Sequence, residues 1–401
     1  AQPPSPAQDP MPLPLPPLRL TGALVLRDGQ LQDRALSLAE GRIARGPLPE
    51  VDLSGYLLLP GIVDLHAGAF ARHARPRPGL ALPPEAALAA LDREAAATGV
   101  TTAVIPQGWS WEGGHHGPDA ALALMAALDA WRPRALTDLH LHLRAEVHLV
   151  DEGARLIAAV ARHAPAYVVF DDRLEAAREM RRLRPEAFAQ RARHLGRTAQ
   201  DLSGALDAAG ARLRDVPRHL CRLAEAFDEM GLLYASHADP DGETRERFAM
   251  IGARIAQFPA NRRAAAAARA MGCPVILSAC DLLQAPGTRA VAPALMAEGL
   301  GDALASGSHM AALPMAAWAL VDQGLAPLPR AWGLISSRPA EILRMADRGR
   351  LDPGLRADLV VVNARTRAVE ATICGGALTF LAGEAAQRFL SRPQPLRLAA
   401  E

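Results

Sequence analysis

Eight short apolar segments alternate with Ala- and Leu-rich stretches through the middle of the chain, and this alternation restricts the folds it can adopt. Each segment has the length of a buried β-strand, and the stretches between them have helical periodicity. The segments are residues 61–65, 101–105, 138–147, 167–170, 232–235, 255–258, 274–277 and 303–305. Such alternation is typical of parallel β/α units. The sequence therefore predicts an α/β fold, a TIM-type (β/α)8 barrel over residues 60–348, close to the usual length of about 250 residues.

Strand-like segments separated by turns lie at both ends of this predicted barrel. Residues 18–59 and 349–386 are predicted to form one small β-sandwich module from the two chain ends. Residues 1–17 contain eight prolines and are predicted to be a disordered tail, and 387–401 a C-terminal tail. Residues 173–226 are predicted to be a helical insertion in the barrel.

Composition excludes several kinds of chemistry. All 44 basic residues are arginine, so no Schiff-base lysine, lysine base or carboxylated lysine can form. The 43 acidic residues are interspersed with them and leave a net charge of +1, which argues against nucleic-acid binding. No apolar run approaches the ~18 residues of a membrane span, and the four cysteines form no Cys-x-x-Cys pair. We therefore expect a cytoplasmic protein with free thiols that binds neither nucleic acid nor membrane.

Metal-ligand side chains follow three of the predicted barrel strands. His66 follows the first strand, Glu146 ends the third and His237 follows the fifth. In a TIM barrel the ends of the strands meet at one mouth, where the chemistry takes place. Three nitrogen or oxygen ligands plus a water suit one catalytic zinc ion. The pattern predicts a metal site in the barrel mouth.

Several motifs in one order resemble the amidohydrolase superfamily and, within it, the hydrolases of the carbon–phosphorus lyase pathway. These motifs are residues 59–66, 75–79, 99–102, 141–146, 235–239, 255–259, 337–340 and 354–360, and the resemblance covers about residues 20–380. It implies a binuclear metal centre in the barrel mouth. It also implies hydrolysis of a triphosphate ester to a monophosphate and diphosphate.

The family's metal ligands are incompletely present in this chain. Gly68 and Gly307 stand where the family has aspartates, and Arg173 stands in place of a histidine. Residues 285–289 lack the family's next histidine. Three of the metal ligands implied by the resemblance are present, namely His66, Glu146 and His237. They are predicted to hold one zinc or manganese ion.

The resemblance also suggests substrate contacts and substitutes for the missing base. Arg72, Arg75 and Arg77 lie in the loop that contacts polyphosphate in the family, and guanidinium forks suit phosphate oxygens. His309 and Asp239 are the candidates for the group that takes a proton from the attacking water. These assignments describe a hydrolase acting on a phosphorylated small molecule.

A second interpretation stays open at this stage. Because ligands are missing, the chain also fits a non-catalytic paralogue that binds a phosphorylated ligand or a protein partner. His140 and His142 share one face of a strand and are predicted to pack or hydrogen-bond there. The loop 112–116 is predicted to be a flexible segment at the mouth. Homodimerisation through barrel helices is an expectation from the family.

Overall fold

Three β-sheets and the helices between their strands make up the structure, a computed structural model that describes residues 14–77, 79–285, 288 and 290–391. Numbered along the chain, the strands are β1 (Leu18–Thr21), β2 (Leu24–Arg27), β3 (Gln30–Asp33), β4 (Leu36–Ala39), β5 (Arg42–Ala44), β6 (Glu50–Asp52), β7 (Tyr56–Pro60), β8 (Ile62–Asp64), β9 (Val100–Trp109), β10 (Asp138–Glu146), β11 (Tyr167–Asp171), β12 (Leu233–His237), β13 (Ile255–Gln257), β14 (Val275–Ser278), β15 (Ala303–Ala305), β16 (Leu359–Asn363), β17 (Val369–Cys374) and β18 (Ala377–Leu381). The α-helices are α1 (Ala69–Ala74), α2 (Pro84–Ala97), α3 (Pro118–Trp131), α4 (Gly153–His163), α5 (Leu174–Leu183), α6 (Pro185–His194), α7 (Ala199–Ala211), α8 (Val216–Glu229), α9 (Gly242–Met250), α10 (Arg262–Ala270), α11 (Ala279–Leu282), α12 (Ala292–Ala297), α13 (Ala312–Asp322), α14 (Leu328–Gly333), α15 (Ser337–Ile342) and α16 (Gly383–Leu390).

The strands β8 to β15 form one eight-stranded parallel sheet in chain order. An isolated parallel bridge between Ala67 and Gly307 joins its two outer strands and closes it into a barrel. Val104, Val169 and Ile276 fill the interior with no exposed surface, and the other face of the strands packs on the helices. Burial on both faces explains why these segments are continuous apolar runs. The predicted TIM-type barrel is confirmed.

The chain ends form a separate β module, as predicted. Its sheets have the strand orders β18-β17-β16-β7-β2-β3 and β5-β4-β1-β6. Strand β7 pairs antiparallel with β16, with Leu58 opposite Val361, so the N- and C-terminal pieces share one sheet. Both side chains are fully buried in the core between the sheets. This pairing places the first barrel strand directly after the module.

The predicted tails fall partly outside the described residues, which exclude 1–13 and 392–401. Within the described part, Pro14 forms an isolated bridge with Ala377. Helix α16 runs across the predicted boundary between residues 386 and 387. None of the helices described is long and apolar enough to cross a membrane.

The predicted insertion contains helices of two kinds. Helices α5, α6 and α7 share a small apolar core with Trp111, which follows β9. Helix α8 instead packs on α4 and β12, as a barrel helix does. The three-helix unit from α5 to α7 is therefore attached to the loop at the end of β9, on the side where the strands end.

Gly68 lies against the backbone that closes the barrel, so a larger residue at this position should destabilise the fold. A Cβ atom on Gly68 would lie 2.2 Å from the carbonyl oxygen of Gly307, which cannot move without disturbing the closure. We expect Gly68→Ala to lower the free energy of unfolding in urea by about 1–3 kcal/mol. The matched control is Gly204→Ala within α7, where a Cβ atom meets nothing within 4 Å. It should be neutral or stabilising by up to about 1 kcal/mol. Equal stability of the Gly68 variant and the wild type would contradict the proposed role of this contact.

Candidate functional site

Three histidines meet at the barrel mouth, on β10, β12 and the segment after β8. The Nδ1 atom of His66 lies 3.2 Å from the Nε2 atom of His142. The rings of His66 and His237 are stacked, with their centroids 6.2 Å apart. His66 and His142 are buried and His237 is half-buried. The structure thus brings two of the predicted metal ligands together with His142, which the sequence reasoning assigned to packing or hydrogen bonding.

A chain of hydrogen bonds sets the orientation of His237. The Tyr167 hydroxyl donates to the carbonyl oxygen of Leu65, so its oxygen accepts from the Gln257 side-chain amide at 2.9 Å. The Gln257 carbonyl oxygen then accepts a hydrogen bond from the Nδ1–H group of His237 at 2.9 Å. The Nε2 atom of a neutral His237 is consequently unprotonated and has a free lone pair.

The electrostatic environment keeps these histidines neutral. Burial, and after it the nearby guanidinium of Arg144, lowers the pKa of His237 to about 3. The pKa values of His66 and His142 are also well below the ordinary value, first because of burial and then because of neighbouring positive groups that include Arg144. At neutral pH the positive charge of the mouth therefore comes from arginine.

Asp171 at the end of β11 accepts hydrogen bonds from two arginines. Arg144 donates to it at 2.8 Å and Arg173 at 2.6 Å. Burial alone would raise the pKa of Asp171, but the two guanidiniums lower it overall, so the carboxylate is ionised. Arg144 and Asp171 have side chains only 18% and 8% exposed, which makes this a largely desolvated pair.

A second carboxylate, Glu112, connects the mouth to the inserted helices. Arg191 on α6 binds it through two hydrogen bonds, at 2.9 and 2.6 Å. His116 lies 3.3 Å from the same carboxylate, and Arg173 lies 3.9 Å from it. Burial opposes ionisation of Glu112, but these partners lower its pKa overall. The loop 112–116, predicted to be flexible, is therefore tied to α6 by a bidentate ion pair.

The predicted metal ligand Glu146 has partners other than the mouth histidines. Its carboxylate accepts from the His148 ring at 3.1 Å and from the backbone amides of His148 and Arg173 at 3.0 and 3.2 Å. Among the described residues, Glu146, His148 and Asp172 form the one group whose three potential ligand atoms all lie within 4.8 Å of one another. Its ligand set differs from the predicted one, since it contains neither His66 nor His237.

The two candidates for the catalytic base have different surroundings. Asp239 is buried and accepts from Ser236, with Arg245 at 3.4 Å. Burial raises the pKa of Asp239 despite these partners. His309 is exposed just after β15. No hydrogen bond joins either of them to His66 or His237 in the described part of the chain.

The three predicted phosphate-contacting arginines also differ from one another. Arg72 forms an ion pair with Glu94 at 2.8 Å on the outer face of α1 and α2. Arg77 is exposed, and its backbone bridges to Leu80. Arg75 is half-buried, lines the mouth cavity and lies near His115. Within the described residues, no carboxylate lies within 4.0 Å of the Arg75 guanidinium, so it alone of the three has a free charge at the cavity.

Comparison with known proteins agrees with this fold. The chain is 26% identical over 377 residues to alpha-D-ribose 1-methylphosphonate 5-triphosphate diphosphatase of Escherichia coli (strain K12), covering 86% of this chain and 92% of that protein. No family model matches the chain. The solved β-aspartyl dipeptidase of Fervidobacterium islandicum AW-1 is 12% identical with a TM-score of 0.61, covering 95% of this chain and 99% of the dipeptidase. The N-acetylglucosamine-6-phosphate deacetylase of Pasteurella multocida is 13% identical with a TM-score of 0.59, covering 90% and 99%.

The predicted resemblance to the amidohydrolase superfamily is confirmed. The match to the diphosphatase covers most of this chain and most of the diphosphatase, and the two solved structures align with 90–95% of this chain. The solved structures are only 12–13% identical to this chain, so they support the fold and not the roles of individual site residues.

The residues at this barrel mouth do not fit a binuclear metal centre. His66 and His237 are adjacent, but Glu146 is bound to His148 and backbone amides. Asp171 is the carboxylate coupled to His237, and two arginines already neutralise it. A divalent ion needs several oxygen or nitrogen ligands and is repelled by a nearby guanidinium.

Sequence reasoning missed the arginines that surround Asp171. Arg144 shares a face of β10 with His142, because alternate residues of a strand point the same way. That spacing was the available signal for an inward-facing arginine. Nothing in the spacing indicated that Arg173 would turn back to Asp171, or that Arg191 on α6 would reach Glu112.

The low pKa of His237 gives a prediction about pH. Its imidazole has a pKa of about 3 in the folded protein and about 6.5 in the unfolded chain. Between these values the unfolded chain binds more protons, so the free energy of unfolding must fall as the pH is lowered. Each such histidine contributes a slope of up to about 1.4 kcal/mol per pH unit.

Urea unfolding at about pH 7 and pH 5 measures this slope, and we expect a shallower fall in the His237→Gln variant than in the wild type. The control, His309→Gln, changes an exposed side chain and should keep the wild-type slope. Identical slopes in all three proteins would contradict this account of the buried histidines.

Proposed function

We propose that the barrel mouth binds a phosphorylated small molecule through arginine side chains. A cavity of about 270 Å³ lies at the mouth, and its walls carry three guanidiniums, those of Arg75, Arg144 and Arg173. The carboxylates on the same walls are Asp171 and Glu112, one fewer than the arginines. The neutral histidines add no charge. An excess of guanidinium in a partly enclosed cavity favours a phosphate or another oxyanion.

Arg75 is the observation that carries this proposal. Arg75 lies half-buried on the cavity wall, where burial disfavours its charge and lowers its pKa. The other two cavity arginines have Asp171 or Glu112 within 4 Å, whereas Arg75 has no carboxylate within that distance among the residues described. A guanidinium that faces a cavity and has no carboxylate partner is well suited to bind an anion there. A phosphoryl group in the cavity would supply the missing partner.

The diphosphatase relative gives the proposal a chemical class. That protein is named for a triphosphate of a ribose methylphosphonate. A sugar phosphate or diphosphate ester carries two or more negative charges and would place them between Arg75 and the Arg144–Arg173 pair. This supports a phosphorylated sugar as the ligand class.

Hydrolysis is the second candidate function, and the adjacent histidines favour it. His66 and His237 lie at strand ends with neutral rings, as metal ligands require. A metal-dependent diphosphatase needs a complete set of metal ligands and a base beside it. In the described part of the chain, Glu146 is bonded to His148, and neither Asp239 nor His309 is hydrogen-bonded to His66 or His237. Anion binding needs neither, so it is the function that the geometry supports better.

Substitution of Arg75 tests anion binding. We expect inorganic diphosphate and ribose 5-phosphate to bind to the wild type in isothermal calorimetry. Arg75→Gln should weaken binding by about 10- to 100-fold, because a hydrogen bond to a charged group is lost. Arg77→Gln removes an equal charge from the same loop at an exposed position outside the cavity wall and should have little effect. Equal weakening by both substitutions would show that only general electrostatic attraction is measured.

Metal analysis separates the two candidate functions. For the anion-binding function, protein purified without a metal-affinity column should hold well under one zinc or manganese ion per chain, before and after incubation with either metal. It should also release no diphosphate from a triphosphate ester. About one bound ion that is lost in His237→Ala, together with diphosphate release, would instead support the hydrolase.

A further inference from the structure

Asp171 and His237 are direct neighbours at the mouth, and His66 lies beside them. The two residues are paired in register at the ends of β11 and β12. The His66 ring stacks on His237 with its centroid 6.2 Å away. Two imidazoles and one carboxylate are a common ligand set for divalent transition metals. Among the described residues the potential ligand atoms of these three side chains do not all lie within 4.8 Å of one another, so binding a cation would require them to move closer.

The carboxylate of this ligand set, Asp171, is already hydrogen-bonded to two arginines. Arg144 and Arg173 both donate to Oδ2 of Asp171, at 2.8 and 2.6 Å. A metal ion at Asp171 would therefore have to compete with two guanidiniums for the charge of one carboxylate. The two guanidiniums would also repel the incoming ion across a poorly solvated cavity. Arg173 is, in addition, the residue that stands where the family resemblance places a histidine.

We infer that Arg144 and Arg173 are the specificity-determining pair of this mouth: by holding Asp171 they exclude divalent metals from His66, His237 and Asp171 and reserve the cavity for anions. This inference builds on the proposed function, because the same guanidiniums would face the bound phosphate. It differs in predicting a masked metal site that appears when the arginines are removed. The pair positions Asp171 and is not assigned a catalytic role.

Cobalt binding to arginine variants tests the inference. The proteins are the wild type, Arg173→Gln, Arg144→Met and the double variant, each titrated with Co²⁺ by equilibrium dialysis and visible absorption. The double variant should bind one Co²⁺ at least about 100-fold more tightly than the wild type. Adding His237→Ala to it should abolish this gain. The control Arg212→Gln removes an exposed arginine that pairs with Asp151 away from the mouth, and should bind cobalt as the wild type does.

Folding of the variants is checked by circular dichroism and thermal unfolding. Arg173 has a side chain 31% exposed, so Arg173→Gln keeps the test valid if the more buried Arg144→Met fails to fold. The single variant should still bind Co²⁺ more tightly than the wild type, by about 10-fold. Tight Co²⁺ binding by the wild type, or no gain in any folded variant, would overturn the inference.

Diphosphate titrations of the same proteins separate this inference from the proposed function. If the wild type binds diphosphate and folded variants gain no cobalt, anion binding stands and metal exclusion fails. If the variants gain cobalt and the wild type binds neither diphosphate nor ribose 5-phosphate, the masked metal site stands and the proposed function fails. Gain of cobalt with loss of diphosphate in the double variant supports both.

Discussion

The Asp171 carboxylate, buried between the guanidiniums of Arg144 and Arg173, determines the charge of the barrel mouth. Removing one partner of a buried ion pair leaves an uncompensated charge, which costs about 3–5 kcal/mol. Arg144 also contributes to the low pKa values of the mouth histidines, so their neutrality partly depends on the same ion pair.

Glu112 extends this arrangement outward to the inserted helices. It lies near Arg173 on one side and binds Arg191 of α6 through two hydrogen bonds on the other. Arg197 donates to the backbone carbonyl of Glu112 at 2.8 Å, and Trp111 packs in the core of α5, α6 and α7. The rim of the cavity is thus fixed by apolar packing and by the second carboxylate. Glu112 therefore lies between the insertion and Arg173 and contacts both.

Sequence reasoning predicted the fold well because burial on two faces leaves a strong pattern. Each of the eight predicted segments overlaps a barrel strand, and the β module is built from both chain ends as expected. It also named His66 and His237, which adjoin one another in the structure. The position of a residue at the end of a predicted strand indicates that it lies at the mouth. Its hydrogen-bond partners, however, depend on side-chain rotamers and on loops that are distant in the sequence. This is why the bonds of Glu146 to His148, and of Arg173 to Asp171, could not be predicted.

The glycines at the missing ligand positions are linked to closure of the barrel. Gly68 lies against the carbonyl oxygen of Gly307, and Ala67 bridges to Gly307 across the seam between β8 and β15. Gly307 has φ = +73°, a backbone conformation that other residues adopt at a cost. An aspartate at either position would meet backbone or strain before it reached an ion. At Gly68 the space that a side chain would need is occupied by the backbone that completes the barrel, whereas at Gly307 the positive φ is the obstacle.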